Sequence, residues 1–318
     1  MHTLSRDVAG PVLAPRGSVV CIGAFDGVHR GHRYVLDHVR RRAAELELDP
    51  AAISFEPIPR EFFARGKLAR LSSARDKIEQ LCSAGVRRLL LLRFNAALAA
   101  MPAESFVQQV LVQRLNAREV MVGQGFRFGH DRAGDMALLH RLGPQYGFRA
   151  VELVPYAPAG ERLSSSTIRA LIAASDFDAA ALALGRRFAI SGKVVHGQQL
   201  GRQLGYPTAN IRLGRRLAPL QGIFAVRVHG IGGVVRPGVA SLGVRPTVTG
   251  VDPQPLLEAH LFDFDGDLYG RRISVEFVEK LRDEEKFPDL ASMVRQIDHD
   301  AAAARRILGV AAVAAAGA

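Results

Sequence analysis

The chain has 318 residues, 48% hydrophobic and 23% charged, with a formal net charge of +11. These proportions exclude a disordered chain, a collagen and a disulfide-stapled miniprotein. At roughly 150 residues per domain the length suits about two domains. Cys21 and Cys82 are too few for a metal knuckle or a secreted framework, so a reducing cytoplasm is expected. The opening MHTLSRDVAGPVLAPRGS lacks a secretory apolar core, and no uncharged run approaches the ~20 residues of a membrane helix.

In chain order, Ser18–Phe25 reads as a buried strand ending at Asp26-Gly27, and helical periodicity runs from about Arg30 to Leu48. Ala51–Phe55 reads as a second strand, closed by the loop Glu56-Pro57-Ile58-Pro59-Arg60. Helical spacing returns over Ser73–Ala84, Val86–Leu92 has strand length, Pro102–Leu115 predicts a helix and Glu119–Val122 a strand. Strands alternating with helices predict a parallel sheet, with ligands beyond the carboxyl ends of its strands. Leu163–Leu184 predicts an Ala-rich helix stopped by Gly185, where a domain boundary is placed. Beyond it β-branched runs such as Phe224–Val228, Leu256–Phe262 and Arg272–Phe277 alternate with Gly and Pro, the pattern of an antiparallel barrel or sandwich. Phe264-Asp265-Gly266-Asp267-Leu268 carries a hairpin signal. A last helix is expected over Asp289–Leu308, and the tail from Val310 to Ala318 is expected to fray.

Lys and Arg outnumber Asp and Glu by 26 to 18 up to Arg187 and by 16 to 13 beyond it, so the positive excess is diffuse. There is no Trp and no aromatic motif of the RNA-binding sheet type, which disfavours a nucleic-acid partner. An Arg-rich surface suits phosphorylated small molecules equally well.

Four segments carry the chemistry. Gly23-Ala24-Phe25-Asp26-Gly27-Val28-His29-Arg30-Gly31-His32 lies at a strand-to-helix junction, where free N–H groups favour anions. Gly27 and Gly31 lack Cβ bulk and let backbone approach a phosphate, His29 and His32 share one face of the opening turn, and Asp26 suits holding the turn. Ser164-Ser165-Ser166-Thr167-Ile168-Arg169 opens a helix; its hydroxyls suit caps, and with Arg169 they also suit a polyphosphate clamp. Gly123-Gln124-Gly125-Phe126-Arg127-Phe128-Gly129 offers aromatic and guanidinium groups that could stack on a planar ring, or a plain strand and turn. The fourth, from Gly192 through Gly201 to Tyr206-Pro207-Thr208-Ala209-Asn210, is dense in glycine. Thr208 and Asn210 offer hard oxygens of the kind Mg²⁺ accepts.

The first two segments resemble the HIGH-type nucleotidyltransferases. With Phe55-Glu56-Pro57-Ile58-Pro59 between them and the Gly-Arg-x-Leu-Gly-Tyr-Pro-Thr-Ala-Asn piece beyond, the chain resembles the bacterial bifunctional riboflavin kinase/FAD synthetases from about Ser18 to Leu308. That resemblance implies a Rossmann-like parallel sheet in residues 1–185, an FMN adenylyltransferase, and an antiparallel riboflavin kinase β-barrel with a terminal helix in 186–318. It implies ATP and Mg²⁺ as cofactors, riboflavin and FMN as substrates, and no nucleic-acid or membrane partner; a homo-oligomer is left open. In the first domain it assigns Gly23, Phe25, Asp26, Gly27, His29, His32, Ser164, Ser165, Ser166 and Arg169 to ATP, with His29, His32 and Arg169 catalytic, and Phe126, Arg127 and Phe128 to flavin. In the second it assigns Gly192, Gly201, Thr208 and Asn210 to ATP and Mg²⁺, Glu258 as general base, and Arg282, Glu285 and Phe287 to flavin. The chain departs from the family with Ile58 for His, Gly125 for Asp or Asn, Ser166 for Thr and Ser241 for Asn. Ile58 and Gly125 leave an alternative, a riboflavin kinase whose first domain is a degenerate regulatory module.

Overall fold

The computed structural model describes residues 2–65, 67–157, 163–197, 201, 204–214, 217–245 and 254–310. Contacts divide the chain into two compact units, Met1–Leu68 with Ala74–Ser165, and Ala69–Ser73 with Ser166–Ala318.

The first unit contains β1 (Thr3–Ser5), β2 (Ser18–Ile22), α1 (Arg30–Glu45), β3 (Asp49–Glu56), α2 (Pro59–Phe63), α3 (Ala74–Ser83), β4 (Arg88–Arg93), α4 (Ala96–Ala99), α5 (Ala103–Phe106), β5 (Ala117–Gly123), α6 (Met136–Tyr146) and β6 (Arg149–Leu153). Its strands form one sheet in the order β1-β4-β3-β2-β5-β6, every pair parallel. Covered on both faces, such strands are apolar throughout rather than alternating with polar residues. In β2, Val20 and Ile22 join one core cluster while Val19 and Cys21 join the other. Burial pushes the Cys21 thiol up to about 12. The helix α1 begins where the His29 side chain accepts a hydrogen bond from the His32 amide, and Leu36, Val39 and Ala43 bury its inner stripe.

The second unit holds most of α7 (Ser165–Ala173), then α8 (Phe177–Leu184), β7 (Ala189–Val195), β8 (Thr208–Ile211), β9 (Gly222–Ile231), β10 (Val234–Arg245), β11 (Gln254–Leu261), β12 (Arg272–Arg282) and α9 (Leu290–Leu308). The six strands close an antiparallel barrel in the order β10-β11-β8-β7-β12-β9. Phe224, Ala240, Leu242, Leu257, Ala259 and Phe277 are all buried. Ala304 of α9 packs with Ala225 and Phe262, so the helix shields part of the barrel wall.

Four local expectations are corrected. The single helix over Leu163–Leu184 is two, because Ser175 takes a left-handed φ of 61° and Asp176 caps a new helix by accepting from the Ala179 amide. The Phe264–Leu268 hairpin is a crossover: β11 lies between β10 and β8, while β12 lies between β7 and β9. The tight hairpin is instead β9–β10, where Gly232 and Gly233 supply φ of 59° and 78°. The helix expected over Pro102–Leu115 widens into a π-helix at Val107–Arg114. The Pro-rich loop after β3 winds into α2. β1, α4, α6 and β6 have no counterpart in the sequence reading, and the expected fraying of the tail concerns residues 311–318, outside the described ones.

Candidate active sites

In the first unit the C-terminal ends of the strands and the N-terminus of α1 surround a cavity of about 430 Å³. Its wall includes Gly23, Phe25, His29, His32, Ser164 and Ser165, with Gly125, Phe126 and Arg127 across from them. The turn before α1 is tight: Phe25, Gly27 and Val28 have φ of 49°, 82° and 37°. A Cβ on Gly23 would stand 3.1 Å from the Phe25 ring, a tight contact. Asp26 is buried, and its carbonyl accepts from Ser165 Oγ at 3.0 Å, tying the serine segment to the turn.

The two imidazoles stack at a centroid distance of 3.6 Å, and the edge of Phe25 meets His32 at 5.1 Å. Burial, with the charges of His29 and Lys77, holds His32 well below its ordinary 6.5. In its neutral form an imidazole donates to a phosphate oxygen through its one N–H.

Other expected residues fall less uniformly. Phe126 stacks on Phe128 at 5.5 Å, but Phe128 is 8% exposed, packs on Phe106, and is not part of the cavity wall. Arg127 pairs with Asp135 at 3.1 Å. Arg169 Nε donates to the Ala69 carbonyl at 2.7 Å, and Ser166 lies in the first turn of the same helix. Ile58 is buried, filling an apolar position, and Gly125 N–H donates to Glu152 at 3.2 Å.

In the second unit strand register builds the site. Glu258 of β11 stands opposite Asn210 of β8 on one side and Ser241 of β10 on the other. Thr208 is opposite His260 in the same ladder. Their neighbours Leu257 and Ala259 are fully buried, so by alternation this polar row faces out of the barrel. Thr208 and Asn210 line a cavity of about 560 Å³ walled by the crossover Phe264–Tyr269. Glu258 is the next strand's neighbour to Asn210, outside that wall.

Glycines let loops close over the row. A Cβ on Gly197 would lie 2.4 Å from Asn210 Nδ2, and one on Gly201 2.4 Å from the Tyr206 carbonyl oxygen. Gly192 instead packs against Ile211 within the barrel. Gln198, Gln199, Leu200, Arg202 and Gln203 of the glycine-rich segment, and Pro246 and Thr247, lie outside the described residues. Arg282, Glu285 and Phe287 do meet: the guanidinium lies 5.7 Å from the Phe287 ring centroid and 3.3 Å from Glu285.

Three residues at or near these sites were given no role by the sequence reading. Lys77 is fully buried, its Nζ donating to the Phe55 carbonyl at the end of β3; its four-residue spacing from buried Leu81 was the available signal. Asp300 of α9 grips Arg282 through bonds of 2.8 to 3.0 Å. His196 stacks on Tyr269 at 3.7 Å, beside the second cavity.

A parallel-sheet unit with imidazoles at a helix N-terminus, followed by a closed barrel with an outward Thr-Asn-Glu row, defines a two-headed enzyme of nucleotide chemistry. Residues 13–167 match the FAD synthetase family and residues 184–308 the riboflavin kinase family. The bifunctional riboflavin kinase/FMN adenylyltransferase of Pseudomonas fluorescens is 47% identical over 92% of this chain and 93% of its own length. Its namesake in Escherichia coli K12 is 42% identical over 98% and 97%. A Streptococcus pneumoniae protein solved under the name macrolide-efflux protein has the same fold, with a TM-score of 0.75 and 27% identity over 94% of this chain and 97% of that one. Among the described residues here, no helix is long and apolar enough to cross a membrane.

The chain belongs to the bifunctional riboflavin kinase/FMN adenylyltransferases: it uses ATP to phosphorylate riboflavin to FMN and to adenylylate FMN to FAD. The alternative of a riboflavin kinase with a degenerate first domain is set aside, since the relatives carry both activities over nearly the whole chain.

Proposed function

We propose that adenylyl transfer takes place in residues 1–185 and riboflavin phosphorylation in 186–318, with the residues below in named roles. An FMN phosphate oxygen attacks the α-phosphorus of ATP, and the bond to the bridging oxygen breaks to release pyrophosphate. His29 and His32 donate to the phosphate oxygens, Ser164 to Ser166 and Arg169 bind the leaving polyphosphate, and Phe126 and Arg127 hold the flavin. No protein group forms a covalent bond; the work is alignment and charge stabilisation.

In the kinase half the riboflavin 5′-hydroxyl oxygen attacks the γ-phosphorus, its proton passes to Glu258, and ADP leaves. Arg282 and Phe287 hold the flavin ring. Thr208 and Asn210 present a hydroxyl and an amide oxygen two residues apart on one strand face, a donor set that fits Mg²⁺. When bound with ATP, Mg²⁺ supplies the neutralisation of polyphosphate charge.

The observation that carries this reading is the register that sets Glu258 beside Asn210, with Thr208 on the same face. Two single variants test it together. Glu258→Gln is expected to stop FMN formation and spare FAD formation from added FMN, while His32→Ala does the reverse. Both reactions are expected to stop with EDTA and return with Mg²⁺. Loss of both reactions in either variant, or of neither, overturns the assignment.

A further inference from the structure

A carboxylate taken out of water needs charged partners, and even a well-paired one adds little stability over apolar packing. What a forked pair does add is fixed geometry. Asp300, on the inner stripe of α9 with Ala304, is 4% exposed. Its Oδ2 accepts from Arg282 Nη2 at 2.8 Å, and both of its oxygens accept from Arg282 Nε at 3.0 Å. Oδ1 also accepts from Gln296 Nε2 at 2.9 Å. The guanidinium at the end of β12 is therefore held along one whole edge, which fixes its plane.

The rest of that guanidinium works on the segment that follows. Nη1 donates to the Asp283 carbonyl at 2.9 Å and lies 3.3 Å from the Glu285 carboxylate, and the guanidinium carbon is 5.7 Å from the Phe287 ring centroid. Residues 283–287 form neither helix nor strand, so no backbone ladder sets their path. That path crosses the outer wall of the barrel: the Glu284 carboxylate fills the place where a Cβ on Gly243 would stand. Leu242 is buried, so position 243 faces out of β10 as Ser241 does, and Ser241 is the strand partner of Glu258. The segment thus passes beside the polar row.

We propose that Asp300 is a positioning residue for riboflavin phosphorylation: by gripping one edge of Arg282 it holds the guanidinium and Phe287, and with them the flavin ring, at a set place beside the row of Glu258. The inference rests on the flavin role given above to Arg282 and Phe287. The flavin ring is remote from the reacting 5′-hydroxyl, so its contacts are equal in ground and transition states and their loss shows in KM for riboflavin.

The test uses the full chain, with FAD formation from FMN as an internal control. Asp300→Asn is expected to raise KM for riboflavin at least about tenfold, with kcat and KM for ATP of the kinase reaction changed less than about threefold and FAD formation unchanged. A pair that served folding alone would lower the active fraction, and so kcat, with KM kept. Arg282→Ala is expected to raise KM for riboflavin at least as far, and the double variant no further, since the carboxylate acts through the guanidinium. An unchanged KM in Asp300→Asn, or effects that multiply in the double variant, overturns the proposal. An unchanged KM in Arg282→Ala overturns the flavin assignment beneath it, and the proposal with it. Should Asp300→Asn not fold, Arg282→Lys decides: the charge stays but the fork is lost, and KM for riboflavin is expected to rise nearly as far as in Arg282→Ala. A wild-type KM in that variant overturns the idea.

Discussion

The parallel-sheet unit stacks its two imidazoles at the mouth of α1, with His29 buried. The barrel unit displays a hydroxyl, an amide and a carboxylate on its outer wall, with the interior filled by aliphatic and phenyl side chains. The difference teaches how distance along the chain becomes distance in space. His29 and His32 are neighbours because a helix begins between them. Glu258 and Asn210 are far apart in sequence and meet only because two antiparallel strands take one register.

A one-residue slip in that register would turn Glu258 into the barrel, so the carboxylate is the sharpest point at which to break the comparison. Glu258→Gln is expected to slow riboflavin phosphorylation by about 10²–10⁴, the range of a lost general base, with FAD formation from FMN untouched in the same preparation. On the other side, His32→Ala is expected to lower kcat for FAD formation by about 10²–10³, as for a lost oxyanion donor, with a smaller change in KM for ATP. A reversed pattern, KM rising while kcat holds, would make the imidazole a binding group only.

A gentler probe is Gly197→Ala. The new methyl would meet the Asn210 amide, and overpacking of about 1–3 kcal/mol is expected to raise KM for ATP in the kinase reaction roughly tenfold. Adenylyl transfer serves as the unaffected reference.

The smallest effect is a pH dependence of stability. The folded His32 pKa lies well below 6.5, so below that value the unfolded chain binds a proton that the folded chain refuses. Stability is therefore level above about pH 7.5 and falls as the pH drops through 6.5. His260, also lowered by burial, acts in the same window. Thermal midpoints between pH 5 and 8 are expected to decline less steeply in His32→Asn, with the residual slope belonging to His260.

Much of the first site was legible because its signals are local: glycines, histidines and a serine run at the ends of strands and helices, where sequence neighbours remain spatial neighbours. Phe128 shows the limit. Alternation around Arg127 says nothing about which phenyl faces the ligand, and Phe128 went to the core against Phe106. Lys77 was invisible for a related reason, since a lysine in a helix reads as surface until the partner carbonyl at Phe55 is known. In the second unit the strand composition was readable but the order was not. Asp265-Gly266 looks like a hairpin turn, yet β12 joins β7 and β9, and the segment becomes a wall of the Thr208–Asn210 cavity. The break at Ser175 was masked by alanines on both sides, which support helix wherever it is started.

The thiol of Cys21 sits on β2, between two neighbouring strands of the parallel sheet, with a pKa near 12. At neutral pH almost none of it is the reactive anion, so alkylating reagents and peroxide have no foothold while the sheet is closed. Its rate of modification thus becomes a clock for the opening of that sheet, readable by mass spectrometry of the peptide that carries Cys21.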